Sequence, residues 1–275
     1  MAACIAFLLW PSAAAAEELR WDETRPRFRP IEYVVTGVAT PIAIAEYFAV
    51  SPASEPKWVG GILFDDAVRD ALRLRSPAGL RAAWALADGM GVSLVLIVGV
   101  LDSIVIPIAR GSVDVAWQTS MMNGQSFALG SLLTFTLYDT IGRARPSYAD
   151  CQRGTITYGC GGSMFASFPS GHIHEAFTAA GLSCAHHLWG RIYGNRIADV
   201  FACTRDLVLG TTEAFLRVMG DRHWASDVIV GSAIGFGFGF GLPTLLHYVR
   251  WNRPANLTPA AMLGPVTGLS VRGTF

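Results

Sequence analysis

The chain has 275 residues, 52% of them hydrophobic and only 15% charged, and its Lys and Arg balance its Asp and Glu to zero net charge. Ordinary soluble proteins carry about 25% charged residues, so this composition points into a membrane. With no basic stripe interleaved with aromatics, nucleic acid is not an implied partner.

Met1 to Ala16 is apolar and ends in four alanines before Glu17-Glu18, the pattern of a secretory signal with a small-residue cleavage site. Residues 17–30 are polar and hold Arg20, Arg25, Arg27 and Arg29, and Ile31 to Val50 is apolar enough for a first membrane helix despite Glu32 and Glu46. Phe64 to Leu74 is amphipathic, with Asp65, Asp66, Arg69, Asp70 and Arg73 on its polar side, and reads as an interfacial helix. Apolar runs follow at 86–108, 121–141, 173–190, 198–216 and 224–249, each near the roughly 20 residues a bilayer helix needs. The expected fold is therefore all-α, a bundle of about six membrane-spanning helices.

Arg205, Asp206 and Glu213 lie inside the fifth run and must face protein or water. In the sixth, Gly231, Gly235 and Gly239 recur every four residues, which lets another helix approach closely. No strand pattern or repeat is evident, and the tail from Trp251 to Phe275 reads as irregular.

Pro169-Ser170-Gly171 breaks whatever precedes it and opens an apolar run, so His172 falls in the first turn of a helix whose free amides suit an anion. His223 and Asp227 are four residues apart, which on one helix face would let the carboxylate hold one imidazole nitrogen and leave the other free to attack. Arg217 and the Arg145-Pro146 pair offer two guanidinium forks for the same anion. Two histidines, two arginines and a helix N-terminus describe phosphoryl transfer without a metal. His174 points away from His172 on a helix, and His186, His187 and His247 read as packed side chains. A metal site would need further carboxylates at ligand spacing, and none accompany these histidines.

Cys151 and Cys160 share a polar loop between Arg145 and the Ser-Gly-His turn, and in an oxidising compartment they would pair. Cys184 and Cys203 fall in or near helices and read as buried thiols, with a second bridge as the alternative.

At these residues the chain resembles the type 2 phosphatidic acid phosphatase family, which shares its site with vanadium haloperoxidases and bacterial acid phosphatases. Arg145-Pro146 matches the first family block, with Tyr138 where the family has lysine. Pro169 to His172 completes the second, and Arg217, His223 and Asp227 match the third, with Leu216 where serine is usual. The resemblance covers roughly residues 60 to 245. It divides the chain into a signal at 1–16, an N-terminal segment at 17–59, a phosphatase-like domain at 60–249 and a tail at 250–275.

The resemblance implies a metal-independent phosphatase, without cofactor, acting on a phosphomonoester or pyrophosphate of a membrane lipid through a phosphohistidine. In that scheme His223 attacks phosphorus, Asp227 fixes its tautomer, and His172 protonates the leaving oxygen. Arg145, Arg217, Ser170 and the Gly171 amide hold the phosphoryl oxygens, Tyr138 donates one hydrogen bond, and Arg143 is the candidate to replace the absent lysine charge. Two alternatives remain: a degenerate, non-catalytic phospholipid-binding protein, and a vanadate-dependent haloperoxidase.

The expected location is a bacterial-type cell envelope with the site facing the periplasm or exterior. Topology carries a conflict, because a cleaved signal followed by six simple spans would put the catalytic loops in the cytoplasm. The loop cysteines and the resemblance both put them outside, as does the positive-inside rule applied to the arginines before the first span.

Overall fold

The computed structural model describes residues 18–49, 54–157, 159–161 and 164–249, together with the backbone of 258–262 and 268–272. The signal-like stretch 1–16 lies outside the described residues. Eight helices follow in order: α1 Pro30–Ala49, α2 Asp65–Leu72, α3 Pro77–Ala109, α4 Val113–Ile141, α5 Tyr148–Gln152, α6 Gly171–Gly190, α7 Arg196–Met219 and α8 Ala225–Tyr248. The six long ones coincide with the six apolar runs. Two of them, α3 and α8, are long and apolar enough to cross a membrane by themselves.

Local chemistry sets the helix ends. Pro30 and Pro77 take first-turn positions, where a missing N–H costs nothing. Ser76, Ser112 and Asn195 cap α3, α4 and α7 by accepting from Gly79 N, Val115 N and Ile197 N. Gly142 ends α4 in the left-handed conformation, φ 61°. Both α3 and α8 widen to π-helical turns, at Ile97–Val105 and Gly237–Gly241, just before Pro107 and Pro243. A proline ring clashes with the carbonyl four residues back, and the wider turn relieves that clash. In α3 that carbonyl, Ser103 O, accepts from Thr119 Oγ1 at 3.0 Å.

Helix α6 is the hub, packed against α3, α4, α7 and α8. Its contact with α8 is backbone to backbone along the glycine row. A Cβ added at Gly231 would sit 2.6 Å from Ser170 O, and those at Gly235 and Gly239 would collide with His174 O and Thr178 O. Apolar clusters lie on either side of the hub, one of Leu94, Val98, Ala176, Ala179 and Leu182, another of Ile173, Ala214, Val218 and Val228.

Apolar side chains also face outward, with Ile197 82% and Phe48 79% exposed and Val92, Val100, Val208 and Ile229 beside them on the surface. Polar groups meanwhile fill the interior: Asp206 and Glu213 of α7 are fully buried, as are His174, His186 and His187 of α6. An apolar exterior around a polar interior is the pattern a bilayer imposes.

Three expectations change. Helix α2 sends part of its polar side into the protein and leaves Asp66 and Asp70 exposed: Asp65 is fully buried, and Arg69 bonds Asp221 at 2.7 Å and Asp150 at 2.8 Å. Cys184 and Cys203 are bonded to each other rather than free, joining α6 to α7. Within the tail read as irregular, Thr258–Met262 and Gly268–Arg272 pair as an antiparallel hairpin.

Candidate active site

The site assembles where the α4–α6 connection meets the turn between α7 and α8. The two segments are tied where Ser170 N donates to Asp227 O and the Trp224 indole Nε1 donates to Ala144 O, while Ser167 N donating to Arg143 O braces the α4–α6 connection itself. A cavity of about 420 Å³ opens there, and its lining includes Tyr138, Arg145, Gly171, His172, Arg222 and His223 together with the carboxylates Glu46, Asp139 and Glu175.

His223 is buried, and its Nδ1 lies 2.8 Å from the Ser167 carbonyl oxygen. A carbonyl only accepts, so Nδ1 carries the proton and Nε2 keeps its lone pair toward the cavity. Burial first, then the charges of Arg145 and Arg217, hold this imidazole well below its ordinary pKa. It is therefore neutral at neutral pH, as an attacking nitrogen must be.

The expectation that Asp227 grips the ring from one turn along a helix does not hold. Helix α8 begins at Ala225, after His223, and Asp227 Oδ2 stands 3.9 Å from Nδ1, beyond hydrogen-bond reach. Asp227 instead accepts from Ser167 Oγ at 2.6 Å and Trp224 N at 2.9 Å, so it fixes the loop whose carbonyl fixes the ring. This is an outer-sphere role, exerted through Ser167.

Arg143 is likewise displaced from its expected place. Its fully buried guanidinium donates to Asp227 Oδ1 at 2.6 Å, Asp65 Oδ2 at 2.7 Å and Ser226 Oγ at 2.7 Å, and lies 4.0 Å from the Trp58 ring centroid. It does not line the cavity. With every direction occupied it holds Asp227 rather than phosphate.

Arg145 faces the cavity, donating from Nη1 to Arg222 O at 2.9 Å and sharing a side-chain hydrogen bond with Tyr138. Burial and then the nearby Arg222 charge lower its pKa to about 10. Two like charges drawn together over one cavity make a receptor for an anion. Arg222 escaped the sequence reading. Its only signal there was adjacency to His223, and it is placed by its guanidinium lying over Trp84, 5.1 Å from the ring centroid.

Ser170 caps α6 with no side-chain bond to that helix, and its buried Oγ has no protein partner. A hydroxyl without a protein partner beside the first amides of a helix is a donor set of the kind that suits an anion. Arg217 sits beneath the site, donating to Asp88 at 2.7 Å and Glu213 at 3.2 Å, with its buried Nε unpartnered. It reaches the histidines by its charge and is not part of the cavity lining.

His174 is buried against Gly130 and bonded to Thr178, away from the cavity. Among the described residues, no three His, Cys, Asp or Glu side chains converge as metal ligands. Cys151 and Cys160 are bonded, closing the loop that carries Arg145 toward α6. Asp150 in that loop meets Arg69, Arg73 and Arg153, all within 2.8 Å.

Residues 123–253 match the family model of the PAP2 superfamily. The PAP2 stretch contains Tyr138, Arg145, Ser170, His172, Arg217, Arg222, His223 and Asp227, while Glu46, Trp58, Asp65 and Asp88 reach the site from outside it. In fold, the chain resembles the transmembrane PAP2-type phosphatidylglycerolphosphate phosphatase from Bacillus subtilis, with 19% identity, a TM-score of 0.51, and coverage of 78% of this chain and 94% of that one. No curated protein sequence matches the chain.

Proposed function

We propose that the chain is a membrane phosphatase that hydrolyses a phosphomonoester or pyrophosphate on a lipid through a phosphohistidine at His223. The observation that carries this reading is the His223 ring held at Nδ1 by Ser167 O, with Nε2 free beside Arg145, Arg222 and the α6 N-terminus. In the first half-reaction Nε2 forms a bond to phosphorus as the ester P–O bond breaks, and His172, entering as the imidazolium, gives its extra proton to the leaving alkoxide and becomes neutral. In the second, His172 takes a proton from water, the hydroxide attacks phosphorus, the N–P bond breaks, and inorganic phosphate leaves. Arg145, Arg222, Ser170 Oγ and the Gly171 amide hold the non-bridging oxygens throughout.

The outward apolar surface and the polar interior support six spans, with the site near one membrane face. The Cys151–Cys160 bond in the adjoining loop supports the exterior or periplasmic side of a bacterial-type envelope. The Bacillus subtilis neighbour supports a lipid phosphate as substrate, and phosphatidylglycerol phosphate, phosphatidate and polyprenyl pyrophosphate form the panel to offer.

The test is phosphate release from that panel by the purified protein in detergent, with mass spectrometry of acid-quenched protein. Release by the wild type and not by His223→Ala or His172→Ala, with a phosphoryl adduct on His223, is the expected result. Wild-type turnover in His223→Ala, or activity that is lost in chelator and restored by zinc, would overturn the mechanism.

A further inference from the structure

We infer that Trp84 positions Arg222 over the phosphate cavity, and that the loop closed by Cys151–Cys160 holds Trp84 in that place. The inference rests on the phosphatase reading only in taking Arg222 as part of the phosphate cradle. A free arginine side chain samples many rotamers, and ordering it opposes binding. A donor that is to be preorganised must therefore be held before the anion arrives.

Trp84, on α3, meets the Arg222 turn at two points. Its indole Nε1 donates to Gly220 O at 2.7 Å, and its ring centroid lies 5.1 Å from Arg222 Cζ. Gly220 presses so closely on the indole that a Cβ added there would sit 2.7 Å from Trp84 Cδ1. The ring quadrupole attracts the guanidinium and fixes its plane. A tryptophan near the end of a membrane helix commonly anchors at the interface, its polar tip toward headgroups or water. The Trp84 N–H is instead taken by Gly220 O. Trp84 also precedes residues 123–253, so the family match assigns it no role.

The six-membered edge of the same ring faces the disulfide loop. A Cβ added at Gly159, where φ is +71°, would stand 3.2 Å from Trp84 Cη2, so only a glycine lets the loop lie this close. The Cys151–Cys160 bond fixes the next residue. At the other end of the loop, Asp150 shares two arginines with Asp221, the residue before Arg222. Arg69 bonds Asp150 at 2.8 Å and Asp221 at 2.7 Å, and Arg73 reaches them at 2.7 Å and 3.1 Å. The loop thus grips the Arg222 turn twice, through Arg69 and Arg73 at one end and through Trp84 at the other. Opening the disulfide releases the second grip.

Vanadate affinity of the protein in detergent is the measure, and a double-mutant cycle separates positioning from packing. Trp84→Leu should weaken vanadate binding about tenfold. Trp84→Phe, which keeps an aromatic face under the guanidinium, should recover most of that loss. In the Arg222→Ala background, Trp84→Leu should change the affinity by less than about twofold. Equal losses with and without Arg222, or no loss with it, would overturn the inference.

Replacing Cys151 and Cys160 together with Ser tests the loop while leaving Trp84 in place, and so decides the matter even where Trp84→Leu fails to fold. The serine pair should weaken vanadate binding severalfold with Arg222 present and not in Arg222→Ala. Undiminished affinity in the serine pair would overturn the part given to the loop. A wild type that shows this coupling but releases phosphate from no substrate would count against the phosphatase reading alone. One that binds no vanadate would overturn both.

Discussion

Arg143 and Asp227 are ion-paired at 2.6 Å with both side chains fully buried, on the side of the carboxylate opposite its link to Ser167. The pair extends to Asp65 on α2, so the turn that carries His223, the α4 exit and the short amphipathic helix are joined through one guanidinium. Desolvating three charges is tolerated here because nearly every polar atom finds a partner.

Removing that guanidinium would strand two buried carboxylates. Arg143→Ala should destabilise the protein by about 3–5 kcal/mol, read as a lower denaturant midpoint in detergent. Arg143→Lys should lose most of the same stability, since an ammonium cannot serve Asp65, Ser226 and Asp227 in one plane. Vanadate affinity of the folded fraction should hold. A selective loss of vanadate binding at full stability would return Arg143 to the phosphate cradle.

Arg222 is the cation we expect to stand in for the family lysine. Arg222→Ala should reduce kcat/KM by roughly a hundred- to a thousandfold, the usual cost of one preorganised donor, and weaken vanadate binding in parallel. Tyr138→Lys should restore part of that activity in the Arg222→Ala background and little in the wild type. Wild-type kinetics in Arg222→Ala would show that Arg145 and the α6 N-terminus suffice.

The acid limb of the activity profile is set by His223, whose pKa burial and Arg145 depress well below 6.5. Protonation of His223 should therefore cost no activity as pH falls through 6.5, and should do so only well below it, where Nε2 takes a proton. The linked stability has the same direction. The unfolded chain binds this proton more readily, so stability is full above about 6.5 and is lost as pH falls toward the folded pKa. An activity break at 6.5 would mean that His223 is solvated.

Asp150 gives a second, lower window. Burial raises its pKa, but the hydrogen bonds and charges of Arg69, Arg153 and Arg73 outweigh burial and bring it to about 2. Its contribution is present above the unfolded value of about 3.9 and is lost as pH falls toward 2. At this partly solvated cluster it is worth about 1 kcal/mol after screening. Asp150→Asn should lose that amount at pH 7 and progressively less as pH falls toward 2, by denaturant titration.

The Cys184–Cys203 bond should appear as a cross-linked peptide pair in unreduced digests, alongside Cys151–Cys160. Replacing both Cys184 and Cys203 with Ser should cost about 3 kcal/mol for a loop of this size. Alkylation of either thiol without reductant in protein taken from its native compartment would oppose the pairing.

What was legible in the sequence was local or periodic. The Pro-Ser-Gly-His turn, the six apolar runs and the glycine row of α8 each depend on neighbours within a turn or two. The structure brings Tyr138, Arg145, Gly171, His172 and His223 to one cavity, as the motifs and, for Tyr138, the family resemblance suggested. The misses are long-range. Ser167, which holds His223, is 56 residues away and uses its backbone carbonyl, which no side-chain pattern reveals. The helix-face argument for His223 and Asp227 failed because the helix starts between them. Arg143 looked like a spare cation because Asp65, its partner 78 residues upstream, read as part of a solvent-facing stripe. Cys184 and Cys203 lie on two helices whose facing sides are set by the bundle rather than by either run.

The glycine row of α8 also decides which parts of the chain have freedom to vary. Because Gly231 rests against Ser170 O, the spacing between α8 and the start of α6, where His172 lies, is gauged by main-chain atoms. Outward-facing residues such as Val92, Val208 and Ile229 can exchange one apolar shape for another with little effect on that distance. One methyl group at Gly231 would wedge the two halves of the site apart.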